Sequence, residues 1–144
     1  MTTSSAFWAY GSALQLGDGA TSEAFTSIAE ITDLTAFDMN RDVIDITSHS
    51  SSDGYREKMG GLRDAGSIAI KANWLPNNVT HDETTGVMAK FNVNTLSNWK
   101  IVLPSSIATF SFSGFVSAIK GGTPLTAQGE LDFTVTISGK VTPS

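Results

Sequence analysis

The stretch Glu130-Leu131-Asp132-Phe133-Thr134-Val135-Thr136-Ile137-Ser138 decides the fold class. Leu131, Phe133, Val135 and Ile137 fall on alternate positions, with Asp132, Thr134, Thr136 and Ser138 between them. A period of two, carried by β-branched and aromatic residues, belongs to a strand with one covered and one wet face. Just upstream, Ala108–Ile119 repeats the pattern. Phe110, Phe112 and Val116 share one face, and Ser111, Ser113 and Ser117 lie mainly on the other. Gly121-Gly122-Thr123-Pro124 separates the two runs with turn-forming residues, so they are expected to pair as antiparallel neighbours.

Working outward, Trp99–Leu103 reads as a short strand stopped by Pro104. Ser67–Trp74 alternates Ile68, Ile70, Ala72 and Trp74 against Ser67, Ala69, Lys71 and Asn73, and ends at Pro76-Asn77-Asn78. Thr80-His81-Asp82-Glu83 has the spacing of a capping box, in which Thr80 and Glu83 satisfy each other's free backbone N–H groups. Val87, Met88 and Phe91 then share a helical face, which predicts one amphipathic helix over 81–92. Gly86 weakens that helix by about 1 kcal/mol relative to Ala. In the first half, Ser12–Leu16 reads as a strand running into the turn Gly17-Asp18-Gly19. Phe25–Met39 is read as one or two strands from Thr26, Ile28, Ile31, Thr32 and Thr35, although the three-residue spacing of Ile28, Ile31, Leu34 and Phe37 would also suit a helix. Asp42–Thr47 alternates Ile44 and Ile46 against Asp45 and Thr47 and predicts a half-buried strand. The sum is a mainly β chain: about seven antiparallel strands in a sandwich or open barrel, with one helix against it, as a single domain over 1–144.

Two segments stand apart from this core. Ser48–Gly66 holds Gly60-Gly61, Gly66, a serine run and six charges, with Tyr55, Met59, Leu62 and Ala65 as its apolar or aromatic residues. Its 19 residues predict a long loop, of a length that compact domains reserve for function. Residues 1–10 read as an extended arm on which Phe7, Trp8 and Tyr10 form an aromatic cluster. Such a cluster on a terminal arm is suited to docking on a neighbouring subunit.

Composition narrows the function. Of 144 residues, 16% are charged, below the roughly 25% usual for soluble domains, and Ser, Thr, Asn and Gly take their place. Uncharged polar surface is desolvated more cheaply than charged surface and suits protein–protein contact. The net charge of −5 is uneven: residues 1–66 carry ten acids against four bases, and 67–144 four acids against five. An acidic chain has no long-range attraction for phosphate, which argues against tight nucleic-acid binding yet lets DNA slide past. Cysteine is absent, which removes disulfides and thiolate chemistry. The start resembles no signal peptide, and no run approaches the ~20 apolar residues of a membrane span. The protein is expected to be made and retained in the cytosol until something else releases it, with no membrane partner.

Candidate chemistry is thin. His49 sits in the serine-rich start of the long loop without a placed Asp or an oxyanion loop, and reads as a solvated residue. His81, beside Asp82 and Glu83, reads as decoration of the helix start, because adjacent helical residues diverge and cannot share a metal. Gly17-Asp18-Gly19 lacks the further oxygen ligands of a calcium loop. Asn78-Val79-Thr80 is a formal glycosylation acceptor without a secretion signal. Trp74 and Trp99 lie in apolar strands and read as core rather than as a sugar-stacking platform. No enzyme, cofactor or metal is expected.

The order of these pieces resembles the major tail tube proteins of long-tailed phages, in a minimal form without an immunoglobulin-like extension. Four stretches carry the likeness: Gly11–Gly19; Asp42–Thr47 with Asp53–Glu57 and Gly61–Gly66; Ile70–Pro76 leading into the helix; and Trp99–Pro104 with Phe112–Ile119 and the last strand. The resemblance implies a structural virion protein whose six-fold rings stack into a hollow tube for DNA. It also implies tape-measure and tail-terminator or tail-tip partners, and assembly in the host cytoplasm. On that reading Tyr55, Arg56, Met59, Leu62 and Arg63 contact the next ring, Phe7, Trp8 and Tyr10 make arm contacts, and Ser111, Ser113, Ser117, Asp132, Thr134 and Thr136 are candidates to line the lumen. Two other readings stand beside it: a β-sandwich binding module of carbohydrate-binding type, and a secretion-system tube or tail-terminator relative.

Overall fold

The computed structural model describes residues 4–35 and 37–143. Nine strands and one short helix follow in the order β1 (Ala13–Gly17), β2 (Phe25–Ser27), β3 (Ile31–Leu34), β4 (Asn40–Asp45), β5 (Lys58–Asp64), β6 (Ser67–Asn73), α1 (Val87–Asn92), β7 (Ser97–Val102), β8 (Thr109–Gly122) and β9 (Glu130–Pro143). Seven of them form one antiparallel sheet in the order β2-β1-β7-β8-β9-β6-β3, and β4 and β5 form a separate two-stranded ribbon.

The sheet must roll up, because its two edge strands are joined by a very short link. Laid flat, seven strands place their edges about 29 Å apart at ~4.8 Å per neighbour. Yet β2 ends at Ser27 and β3 starts at Ile31, a span of about 14 Å at full extension. The result is an open barrel whose seam is bridged by Ile28-Ala29-Glu30. Glu30 turns the chain there with φ 52°, in the left-handed region.

The alternation in the sequence sets what fills this barrel. Ile68, Ile70, Trp99, Ile101, Phe112, Val116, Leu131, Phe133, Val135 and Ile137 point inward and are buried. Register shows why the faces stay in step: Ile70 lies opposite Phe133, Phe133 opposite Ile119, and Trp99 opposite both Leu16 and Phe112. Trp99 is fully buried and its indole N–H donates to the Gly114 carbonyl at 3.2 Å. Trp74 packs at the margin of this core. Ile28 from the link and Val87 from α1, which packs against β8, join the same core.

Of four expectations, the first holds and three are corrected. Phe25–Met39 resolves into two short strands, within the expected one or two, and the main sheet has the expected seven strands, with a two-stranded ribbon beside it among the described residues. The helix covers only Val87–Asn92, not 81–92. Residues 75–86 are successive turns, because the Asp82 carboxylate gathers the N–H groups of Thr84, Thr85 and Gly86 (3.2, 2.9 and 3.0 Å) and holds them off a helical path. A Cβ at Gly86 would lie within 2.6 Å of the His81 backbone nitrogen, so the close approach demands glycine. Third, the predicted loop 48–66 is largely structured: a single 3₁₀ turn at Ser52–Gly54 leads into strand β5. Fourth, β4 is not half-buried; every residue from Asn40 to Asp45 is exposed.

Candidate functional site

The ribbon is the feature that departs most from an isolated globular domain. Its base is anchored where Phe37 packs edge-on against Phe110 at 4.7 Å. There Gly66, at φ 78°, lets the chain pass so close to Asp38 that a Cβ would overlap the Asp38 carbonyl. The tip is tied by Ser51 Oγ donating to Glu57 Oε2 at 2.7 Å and by Glu57 N–H donating to Thr47 Oγ1 at 2.8 Å.

The ribbon has two unlike faces, because cross-strand partners point the same way. Ile44 lies opposite Met59, and Ile46 continues that face through its N–H bond to the Glu57 carbonyl at 2.9 Å. Gly61 makes room on this side, since a Cβ there would sit 3.2 Å from Ile44 Cδ1. The other face carries Arg41 opposite Arg63, Asp45 opposite Lys58, and an Asp45–Arg56 ion pair at 3.0 Å. Thr47, through its hydroxyl and its backbone N–H, holds the Asp45 carboxyl below its ordinary value, with Arg56 adding to the effect.

The residues expected at a ring contact are therefore divided. Met59 joins Ile44 and Ile46 on the apolar face, and Arg56 and Arg63 belong to the charged one. Tyr55 and Leu62 are the most exposed apolar or aromatic side chains of the ribbon, at 76% and 83%. Ile44 and Ile46 were missed as surface residues because alternation shows that one face is apolar and does not show what covers it. In the arm, Phe7, Trp8 and Tyr10 are all exposed, and Trp8 stacks on Tyr10 at 4.9 Å with their planes 22° apart. Residues 1–3 of the predicted arm lie outside the described residues.

The lumen candidates do converge. They occupy the outer face of β8 and β9, where Thr136 Oγ1 donates to Ser117 Oγ at 2.8 Å and Ser117 Oγ to the Thr134 carbonyl at 3.3 Å. A bulge between Val116 and Ala118 turns Ser117 outward beside Thr134, and Phe115 shares this face. Ser113 Oγ donates to Asn98 Oδ1 at 2.9 Å. Ser111 and Ser113 line a shallow open depression of about 430 Å³ with Lys100, Lys140 and Thr142. Toward the other end, register places Asp33, Lys71, Asp132 and Lys120 side by side across four strands, a row of alternating sign.

The two histidines lie far apart in burial and surroundings. His49 is exposed near the ribbon tip. His81 is fully buried, which corrects its reading as surface decoration of a helix start. Its Nδ1 accepts the Leu75 N–H at 3.1 Å, so Nε2 carries the proton and donates to the Ala29 carbonyl at 2.9 Å. Thr80 Oγ1 accepts the Ala29 N–H at 3.1 Å and donates to Asn78 Oδ1 at 2.6 Å. The expected reciprocal Thr80–Glu83 box is replaced by a clasp on the seam link. Among the described residues no group of three His, Asp or Glu could hold a metal ion, and no helix is long and apolar enough to cross a membrane.

A rolled antiparallel sheet, a projecting ribbon with an unmatched apolar face and a hydroxyl-rich outer face together describe a subunit of a larger body. Comparison with known families agrees: residues 8–144 match the model of the lambda phage tail tube protein. The chain belongs to that family. It is a structural tail tube protein, a component of the phage tail. No curated protein sequence matches it. Among solved structures, it is similar to a chain in the tail of an empty GTA particle determined with C6 symmetry. That pair shares 19% identity at a TM-score of 0.73, over 91% of this chain and 95% of the other. It is also similar to a chain of the PVC sheath/tube terminator of an extracellular contractile injection system (14%, 0.71, 99% of both chains) and one of the anti-feeding prophage baseplate (9%, 0.68, 100% and 97%). At these identities the likeness is one of fold.

Proposed function

We propose that this tail tube protein closes into six-fold rings that stack into a hollow conduit for DNA, with no enzymatic role. The observation that carries this reading is the ribbon's apolar face. Ile44, Ile46 and Met59 lie open on a two-stranded element that is marginal alone in water and needs a covering surface. A sister subunit supplies that cover at every position of a repeating assembly. The C6 symmetry of the GTA tail supports six as the ring number.

The lumen wall on this reading is the outer face of β8 and β9. Ser111, Ser113, Ser117, Thr134 and Thr136 present hydroxyls that satisfy one another or water, and Asp132 stands between Lys71 and Lys120 in the register. Lys100 and Lys140 share their depression with Glu23, so such a wall does not hold DNA through a row of unopposed lysines. Tape-measure and terminator or tip proteins are the partners expected at the bore and the ends, with assembly in the host cytoplasm. The carbohydrate-binding reading is disfavoured by the aromatics: Trp99 is buried, and Trp8 and Tyr10 cover each other's faces.

Negative-stain microscopy of the purified protein over a concentration series tests the proposal. Open-ended tubes or six-fold rings are expected; featureless monomers at every concentration would sink it.

A further inference from the structure

The tube reading leaves open which surface receives the arm of a neighbouring copy, and the sheet itself points to one. β8 is 14 residues long, about 40 Å after twist and bulges. At its Thr109 end it pairs with Val102 and lies beside the end of β9. The arm leaves there too: Ala13 pairs with Val102, and a Cβ on Gly11 would lie 3.8 Å from Pro104. At its Gly122 end β8 turns into the loop 123–129, which returns as β9. Arm and loop thus sit at opposite ends of one long strand and cannot meet within a chain.

The loop carries Leu125, at 101% exposure, behind Pro124. Its base is propped. Trp74 N–H donates to the Gly129 carbonyl at 2.9 Å, and the indole ring lies under Gly121, where a Cβ would be 3.3 Å from Trp74 Cζ3. Residues 121–129 carry no charge, and neither do residues 4–12 of the arm. The ribbon, by contrast, is flanked by Arg41, Asp42, Asp45, Glu57, Lys58, Arg63 and Asp64. Burying unpaired charge is costly, so a charge-free knob is matched by a charge-free socket.

We propose that Leu125 and its loop are the docking point for the Phe7/Trp8/Tyr10 arm of a copy in the adjacent ring. This rests on the tube reading. Strands that close a bore tilt by roughly 35–45° from its axis, so their ends face the rings above and below. The contact is head-to-tail, with different surfaces on the two copies, and propagates without closing.

The chain has no cysteine, which makes a clean cross-linking test available. The variant A9C/T126C keeps Trp8, Tyr10 and Leu125, and is treated with a short bis-maleimide after polymerisation. A ladder extending past six chains is the expected result, with each single-cysteine variant giving dimers at most. Visible tubes without a ladder, or a ladder ending at six, overturn the proposal and leave the tube reading intact. Absence of rings or tubes from the cysteine-free parent sinks both. As a second measure, L125D is expected to keep the parent's unfolding midpoint and lose at least tenfold in tube yield; unchanged yield refutes the contact.

Discussion

Replacing His81 with Ala tests the physical account of the open barrel. The ring is fully buried and holds two backbone groups on different segments, the Leu75 N–H and the Ala29 carbonyl. H81A leaves both without a partner, at about 1–3 kcal/mol each. The space vacated by the ring adds a cavity term, so the total is about 3–6 kcal/mol. Against a domain stability of roughly 5–15 kcal/mol this is a large fraction. With a urea m-value near 2 kcal/mol/M, the midpoint should fall by about 1.5–3 M. The assay is equilibrium unfolding of dilute, unassembled protein, with the exposed H49A as control. Hydrogen exchange then locates the damage: amides 28–30, which cross the seam, should lose protection before those of β8 and β9. A midpoint within about 0.3 M of the parent would refute the clasp as the closure of the barrel. So would a uniform loss of protection that spares no strand.

T80V removes the acceptor for the Ala29 N–H and should cost about 1–3 kcal/mol by the same unfolding assay, concentrated at the same seam amides. G66A places a Cβ against the Asp38 carbonyl at a backbone angle disfavoured for side chains, so thermal unfolding should show a marked loss and exchange should report a loosened ribbon base. I44D and M59D put charge on the ribbon's apolar face; the folded monomer should survive with its midpoint unchanged, and sedimentation should show no polymer. The pH response follows from Asp82, whose carboxyl is held below its ordinary 3.8 chiefly by the Thr85 backbone N–H, with Thr84 and Gly86 adding to it. Because the folded value is depressed, its contribution is complete above the unfolded value and is lost as pH falls through the folded one. D82N should therefore flatten the acid limb of a stability–pH curve below about pH 4 and leave the shape of the curve between about pH 5 and 8 as it is in the parent.

The long strands were legible because their physics is local. Leu131, Phe133, Val135 and Ile137 need only a period of two to show which side is covered, and the pairing of β8 with β9 follows from the turn between them. The helix was overextended for a reason the spacing hides. Asp82 can accept from several turn amides as readily as it can sit in a helix's first turn, and the choice is made by Gly86 and by the burial of His81 beneath the seam. That burial was invisible because Ala29 and Leu75 lie 52 and 6 residues away from it in sequence. No local pattern reports a partner so distant.

The ribbon shows a different kind of limit. Gly60-Gly61 looks like loop composition, yet each glycine gives way to a side chain from the opposite strand: Arg41 over Gly60 and Ile44 over Gly61. Read as local chain, the segment is flexible; read as a pair of strands, it is a shaped plate whose one side carries Ile44, Ile46 and Met59 beside Asp42, and whose other carries most of the charge beside Val43. Alternation in β4 and alternation in β9 are the same signal in the sequence, but β9 is covered by its own barrel and β4 by nothing among the described residues. A period-two pattern therefore identifies a face that requires a partner without saying whether that partner is the same molecule. On the tube reading proposed above the two cases coexist, and the strand whose apolar side remains bare after folding is the one we propose the next copy covers.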